Sequence, residues 1–142
     1  MDDLNKLIEN AISWALKNRE RADYPFKCLA FVEDSYELGN RMVVLGGDCA
    51  TESARMYAPL QAGAPGRGGF AFYRAEGPLF GHWKDWGHVG LALGDGLVIH
   101  SWNRIRTDAY LSVQTLAAPP GWTQPTYIGW ASPEAFLAGS LG

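Results

Sequence analysis

The sequence predicts one α+β domain in which N-terminal helices pack on an antiparallel sheet. Helical periodicity is confined to the first part of the chain, and short strand-like segments fill the later part. Seventeen glycines and eight prolines require many turns, which favours a fold with strands over a helical bundle. The length of 142 residues fits a single domain over residues 1–142, without a repeat or a linker.

Three helices are predicted before the strands. The apolar side chains of the first segment follow the 3.6-residue period, which predicts a helix over Asp3–Asn18. Pro25 can open a second helix, because its missing N–H is unpaired in a first turn in any case, and Gly39 ends it. A short third helix over Cys49–Tyr57 is ended by Pro59.

Four later segments combine β-branched and aromatic residues with turn residues at both ends, which predicts strands. These segments are Phe70–Arg74, His88–Leu93, Leu97–Asn103 and Tyr127–Ala131. Pro133 then opens a short closing helix. Because the helices come first and the strands follow one another, the sheet is expected to be antiparallel.

Composition excludes several classes of partner. The chain has 12 basic and 15 acidic residues and a net charge of −3, so no nucleic acid is expected as a partner. No stretch reaches the apolar length of a membrane span, so no membrane is expected either. The first ten residues are acidic where a signal peptide is basic. The chain as synthesised is therefore expected in the cytoplasm, unless a dedicated route exports it.

Cys28 stands in the first turn of the second predicted helix. The partial positive charge of a helix start, together with Lys27, predicts a lowered thiol pKa and a nucleophilic cysteine. The alternative is a small buried apolar residue, which is a common role of free cysteine. Cys49 also lies near a helix start, but it follows Asp48, whose carboxylate disfavours a thiolate.

Two of the three histidines, His88 and His100, lie on the two strands of a predicted hairpin around Gly94–Gly96. A three-residue loop pairs Leu93 with Leu97 and places both histidines on one face, whereas a two-residue loop separates them. The three-residue loop is favoured because it collects one apolar face. That face consists of Val89, Leu91, Leu93, Leu97 and Ile99.

Two histidines beside the small residues Gly90 and Ala92 have three interpretations. One histidine can be a general base that the other orients. They can bind a metal with His82 or Asp85, but a spaced third ligand is lacking, so no metal and no other cofactor is expected. They can also be core histidines whose hydrogen bonds are satisfied.

The arrangement resembles the NlpC/P60 cysteine peptidases. The matching residues are Cys28 in YPFKCLAFVEDSYELG, His88 in WGHVGLALGDG and His100 in LVIHSW. The segment GAPGRGGFAFYR is similar to the strand that enters the family's sheet before the histidine. The resemblance covers about residues 20–105, and the spacing of the two histidines favours this family over the related CHAP amidases.

The resemblance implies a papain-like fold with Cys28 as nucleophile, His88 as base and His100 as the residue that orients the base. It also implies cleavage of peptide bonds in bacterial cell-wall stem peptides, often beside D-glutamate. A peptide or muropeptide is therefore the expected substrate. The chain has Lys-Cys-Leu-Ala over residues 27–30 where the family commonly has Asp-Cys-Ser-Gly.

Substrate contacts are expected from Tyr24, Trp86 and Trp102. Tyr24 is the tyrosine nearest to the place of the family's Tyr-containing segment, which helps to bind the amino end of the substrate. A second aromatic group near the end of the chain, including Trp122 and Trp130, is expected to pack under the sheet edge rather than to bind a ligand.

Three functions remain open from the sequence. The first is a cysteine hydrolase, and the second is a CHAP-like amidase or an acyl or amide transferase that uses the same covalent intermediate. The third is a non-catalytic relative that grips a ligand with the segment 82–86 and Trp102. The complete set of one cysteine and two histidines argues against the third. A hydrolase cleft should admit water and a transferase should exclude it.

Overall fold

A computed structural model describes residues 3–44 and 46–137 of the chain. The helices are α1 (Asp3–Lys17), α2 (Cys28–Asn40), α3 (Ala50–Met56) and α4 (Pro133–Phe136). The strands are β1 (Phe70–Arg74), β2 (Glu76–Leu79), β3 (His82–Asp85), β4 (His88–Gly94), β5 (Leu97–Ser101), β6 (Ile105–Ala109) and β7 (Thr126–Ala131). The fold is mixed α+β, as the sequence predicts.

The central sheet has five strands in the order β6-β5-β4-β1-β7, and each neighbouring pair is antiparallel. Strands β2 and β3 form a separate hairpin beside it. The four predicted strands are present, whereas β2, β3 and β6 were not predicted. These three are rich in polar residues, glycine or proline and are largely exposed, so they lack the apolar alternation that identifies a strand.

The helices cover one face of the sheet. α2 packs on β4 and β5, α1 packs on α2, and α3 packs on β1. The core between these layers includes Val89, Leu91 and Ile99, all fully buried. A smaller cluster around Tyr73 and Val98 lies on the opposite face. In the described ranges, no helix has the length and apolar character needed to cross a membrane.

The β4–β5 hairpin has the predicted register in its body but not at its turn. Leu91 pairs with Ile99, which keeps the two histidines on one face. At the end of the hairpin, Gly94 rather than Leu93 pairs with Leu97, and a β-bulge precedes this pair. Leu97 is therefore 41 % exposed and does not belong to the core face that the sequence predicted.

The bulge explains how a short loop preserves the register. Asp95 and Gly96 have φ values of 57° and 79°, which are the left-handed conformations of a two-residue hairpin turn. Such a turn alone would shift the register by one residue and separate the histidines. The extra residue that the bulge takes up in β4 restores the pairing.

Candidate active site

A chain of hydrogen bonds crosses the face of the sheet that the helices leave open. His88 Nε2 lies 2.8 Å from His100 Nδ1, and His100 Nε2 lies 2.8 Å from Asp108 Oδ2. Arg106 donates from Nε to the same carboxylate oxygen at 2.8 Å. His88 and His100 are 3 % and 0 % exposed. The hairpin therefore brings the two histidines together as the sequence predicted.

Asp108 determines which nitrogen of each ring carries the proton. Its hydrogen bonds with His100 and Arg106 lower the pKa of the carboxyl to about 2, so it is ionised and accepts. His100 Nε2 must then donate, and because burial lowers the pKa of His100, the ring is neutral and Nδ1 is an acceptor. His88 Nε2 therefore donates to it, and His88 Nδ1 is left without a proton, as a general base requires.

Two contacts hold the segment before α2 against the end of β5. The backbone N–H of Phe26 donates to the carbonyl of Trp102 at 2.8 Å, and the Ser101 hydroxyl donates to the carbonyl of Tyr24. This places Cys28, the first residue of α2, at the start of β4. The backbone of Val89, the residue that follows His88, acts to lower the pKa of the Cys28 thiol, which indicates that the thiol lies close to the start of β4.

The thiol pKa differs from the sequence prediction. Burial raises the pKa of Cys28 to about 11, although the backbone N–H groups of Val89, Leu29 and Cys28 act in the opposite direction. Burial and the neighbouring His100 also lower the pKa of His88 well below its ordinary value. The desolvation outweighs the helix start, so the resting pair at neutral pH is a neutral thiol beside a neutral imidazole.

Cys49 lies near enough to Cys28 to affect the pKa of its thiol. It is the N-cap residue of α3, and its electrostatic influence contributes to the raised pKa of Cys28. Both cysteines are free and partly exposed. The sequence distinguished the two thiols by Asp48, which precedes only Cys49, and it gave no indication that Cys49 acts on the pKa of Cys28.

A cavity of about 250 Å³ opens beside the thiol. Cys28 and His88 both line it, together with Trp102, whose ring meets the His88 ring edge to face at 4.9 Å between centroids. Gly87 also lines it and has a φ of 79°. A side chain there would lie 2.7 Å from the backbone nitrogen of Thr51. Glycine therefore lets α3 approach the site.

Of the three residues expected to bind substrate, only Trp102 lines the cavity. Tyr24 lies in the core, where its ring packs on Phe31 and its hydroxyl donates to Asp34 at 2.5 Å. Trp86 braces the β2–β3 hairpin instead, because its indole N–H donates to the carbonyl of Gly77 at 3.0 Å. Tyr24 and Trp86 therefore do not line this cavity, and their polar groups already form hydrogen bonds within the fold.

Two parts of the site were missed by the sequence analysis. Asp108 faces His100 because β6 pairs His100 with Arg106 and Val98 with Asp108. The sequence signal was weak, because Ile105 is the only large apolar residue of the segment Ile-Arg-Thr-Asp-Ala and one such residue does not establish a strand. Trp122, expected to pack under the sheet edge, instead forms a wall of the cavity.

The groups considered for a metal do not meet at the histidines. His82 is exposed on β3, and Asp85 accepts a hydrogen bond from the backbone N–H of Ala75. Within residues 3–44 and 46–137, no three His, Cys, Asp or Glu side chains are grouped so that they could hold a metal ion.

Comparison with known proteins adds no relative to this picture. No protein-family model matches the chain, and no curated protein matches it.

Proposed function

We propose that this protein is a cysteine hydrolase with a papain-like, NlpC/P60-type fold that cleaves an amide bond through a thioester on Cys28. The observation that carries the proposal is the oriented base. A carboxylate fixes His100, His100 fixes His88, and His88 shares a cavity with a thiol at a helix start. A structural pair of histidines would need hydrogen bonds, but it would not need a cysteine and an open cavity beside them.

In the first step, Cys28 Sγ attacks the carbonyl carbon of the substrate as its proton passes to His88 Nδ1. The tetrahedral oxyanion is held in part by the backbone N–H of Cys28, which lies in the first turn of α2. The C–N bond then breaks, and His88 returns the proton to the leaving amine. The products of this step are a free amine and an acyl thioester.

In the second step, water attacks the thioester carbonyl and gives a proton to His88. The C–S bond breaks, a carboxylic acid leaves, and the proton returns to sulfur. His100 accepts the His88 Nε2–H throughout and stabilises the imidazolium that forms twice in each cycle. Asp108 is a positioning residue, because it acts on His88 only through His100.

The first substrate class to test is the cell-wall stem peptide that the resemblance implies. Defined muropeptides are incubated with the protein, and the products are identified by mass. We expect cleavage at one amide bond, its loss in Cys28→Ala, and its retention in the matched variant Cys49→Ala. Cleavage that persists in Cys28→Ala would overturn the proposed nucleophile, and a protein inactive on all stem peptides would overturn this substrate class.

The walls of the cavity favour a second candidate, an acyl or amide transferase. They are formed largely by Pro78, Trp102, Pro119 and Trp122, which repel the water that would hydrolyse a thioester. Adding a primary amine to the cleavage reaction tests this candidate. A transferase yields the new amide even at low amine concentration, whereas a hydrolase yields mainly the carboxylic acid.

A further inference from the structure

We propose that the cavity beside Cys28 binds an uncharged apolar group of the substrate, of the size of an aromatic ring, and rejects a carboxylate at the same place. The inference rests on the proposed function only in taking Cys28 as the reacting thiol. It narrows that function by naming the chemical class of the group next to the scissile bond, and it favours a substrate other than a stem peptide cleaved beside D-glutamate, whose carboxylate this cavity would exclude.

The side chains that line the cavity are the first observation in support of an apolar subsite. Among the described residues that line the cavity, none is Asp, Glu, Lys or Arg. The polar side chains are the Cys28 thiol and the His88 imidazole, and both are occupied by the reaction. The remaining walls are apolar or aromatic, and they are Phe26, Ala75, Pro78, Leu79, Gly87, Trp102, Pro119 and Trp122.

Lys27, between the lining residues Phe26 and Cys28, is exposed and does not line the cavity, and three other cations near the site are engaged elsewhere. Arg106 holds Asp108 behind His100, and Arg74 pairs with Glu76. Lys84 lies 4.2 Å above the ring of Trp86, away from the cavity lining. The indole N–H of Trp102 donates to the carbonyl of Ala117 at 3.2 Å. A carboxylate in the cavity would therefore lose its water without gaining a charged partner, which disfavours it strongly.

The size of the cavity indicates what fits. An apolar cavity of about 150 Å³ is enough to hold benzene. The cavity here measures about 250 Å³ and so has room for one ring and a short linker to the reacting carbonyl. A phenyl ring or a branched aliphatic side chain of the substrate has this size. Such a group gains free energy when it leaves water for the cavity, and a charged group of the same size does not.

Trp122 is a wall that can be removed without touching the reacting groups. Its indole lies on Gly77, where a Cβ would be 2.1 Å from the ring, and its backbone N–H donates to the carbonyl of Pro119 at 3.0 Å. It makes none of the hydrogen bonds of the relay from His88 to Arg106. Its substitution by alanine should widen the cavity and leave the base in place.

The test compares two alkylating probes on the same thiol, N-phenethyl-2-chloroacetamide and N-(2-carboxyethyl)-2-chloroacetamide. Labelling rates of Cys28 and Cys49 are followed by mass mapping of peptides at one pH. We expect the phenethyl probe to label Cys28 at least about tenfold faster than the carboxyethyl probe, which is about 1.4 kcal/mol. The ratio of the phenethyl rate to the carboxyethyl rate on Cys49 gives the relative intrinsic reactivity of the two probes. The pKa of a thiol affects both probes equally, so it cancels in the ratio for each cysteine.

Variants and an unreactive pair of ligands complete the test. Trp122→Ala should lower the ratio of the phenethyl rate to the carboxyethyl rate on Cys28. Trp83 is an exposed tryptophan of the β2–β3 hairpin, and Trp83→Ala should leave this ratio unchanged. N-phenethylacetamide should shift the imidazole ¹⁵N signals of His88 saturably, and N-acetyl-β-alanine should not. Equal ratios on the two cysteines, or binding of neither ligand, would overturn the apolar subsite. Amide cleavage in Cys28→Ala would overturn the proposed function instead.

Discussion

The two faces of the β4–β5 hairpin are both buried, but the side chains on them have different requirements for burial. Val89, Leu91 and Ile99 face the helices, where burial of apolar surface needs only matching volume. His88 and His100 face the other way, and a buried imidazole needs a hydrogen-bond partner for its N–H. The same strands therefore carry a core on one side and a hydrogen-bonded relay on the other.

The difference shows what makes the open face suitable for chemistry. The apolar side chains of the helix-covered face carry no group that can take up or release a proton. The relay has a carboxylate at one end and an unprotonated nitrogen at the other, so each proton position depends on the next. Variants on the helix-covered face should change stability, and variants on the relay should change turnover.

The largest effect is expected for His88→Ala, which removes the base. Turnover should fall by about 10²- to 10⁴-fold, because the thiol proton no longer has an acceptor. The measurement is kcat/KM on the cleaved substrate, with thermal unfolding to show that the fold persists. His82→Ala, at an exposed position on β3, is the matched control and should keep full activity. Near-normal turnover in His88→Ala would make the histidines structural.

On the helix-covered face, Leu91→Ala should lower the free energy of unfolding by about 2–5 kcal/mol, because it leaves a cavity under the helices. Urea unfolding measures this, and kcat of the folded fraction should be unchanged. Leu97→Ala is the matched control, since Leu97 is 41 % exposed and should cost far less. Equal losses in the two variants would contradict the assignment of the core face.

His100 tests the relay at its centre. His100→Asn offers an amide oxygen to the His88 Nε2–H and should keep measurable turnover, whereas His100→Ala should keep less. Both variants should remain more active than His88→Ala, because the base and the nucleophile are still present. Kinetics on the three variants decide the order. Full activity in His100→Ala would mean that His88 needs no orienting partner.

Asp108→Ala should lower kcat by about tenfold, a smaller loss because the carboxylate acts through His100. The ¹⁵N signals of the imidazoles give the second readout, since His100 should lose its preference for a proton on Nε2. Asp108→Glu should restore part of kcat and part of the preference of His100 for a proton on Nε2. Asp23→Ala, which removes an exposed partner of Arg21, is the control and should change neither. An unchanged His100 tautomer in Asp108→Ala would refute the positioning role.

The smallest effect is expected from pH. His88 has a pKa well below its ordinary 6.5 and Cys28 a pKa of about 11, so the neutral pair persists across the range between them. The logarithm of kcat/KM should therefore be flat from about pH 7 to about pH 10 and should fall in acid, where His88 takes up a proton. A thiolate–imidazolium pair would give a bell with an alkaline fall within that range, which is the contrary result.

Much of the fold followed from patterns within single elements. The period of the apolar residues placed α1, and turn residues bounded four of the strands, because these signals are local. The second helix was predicted to open at Pro25, but α2 begins at Cys28, because Phe26 has a φ of 58° and interrupts the helix there. The face shared by the two histidines was also predicted, but for an incomplete reason. The sequence argument used a three-residue loop, and the structure reaches the same register with a two-residue turn and a bulge.

The residues whose place differs from the expectation are those that depend on distant neighbours. Tyr24 looked available for substrate, but Asp34 and Phe31 take up its hydroxyl and its ring. Trp122 looked like packing, but its loop brings it to the wall of the cavity. An aromatic residue can pack in the core or line a cavity, and its neighbours in the sequence do not distinguish these two roles.

The sequence by itself determined the α+β class, the place of Cys28 in the first turn of a helix and the alternation that separates the apolar residues of the hairpin from His88 and His100. Tertiary structure alone decided that Asp108 meets His100 and that burial raises the pKa of Cys28 to about 11. The reason is that periodicity is a property of neighbouring residues. Desolvation and hydrogen-bond partners depend on which segments, far apart in the chain, pack around a group.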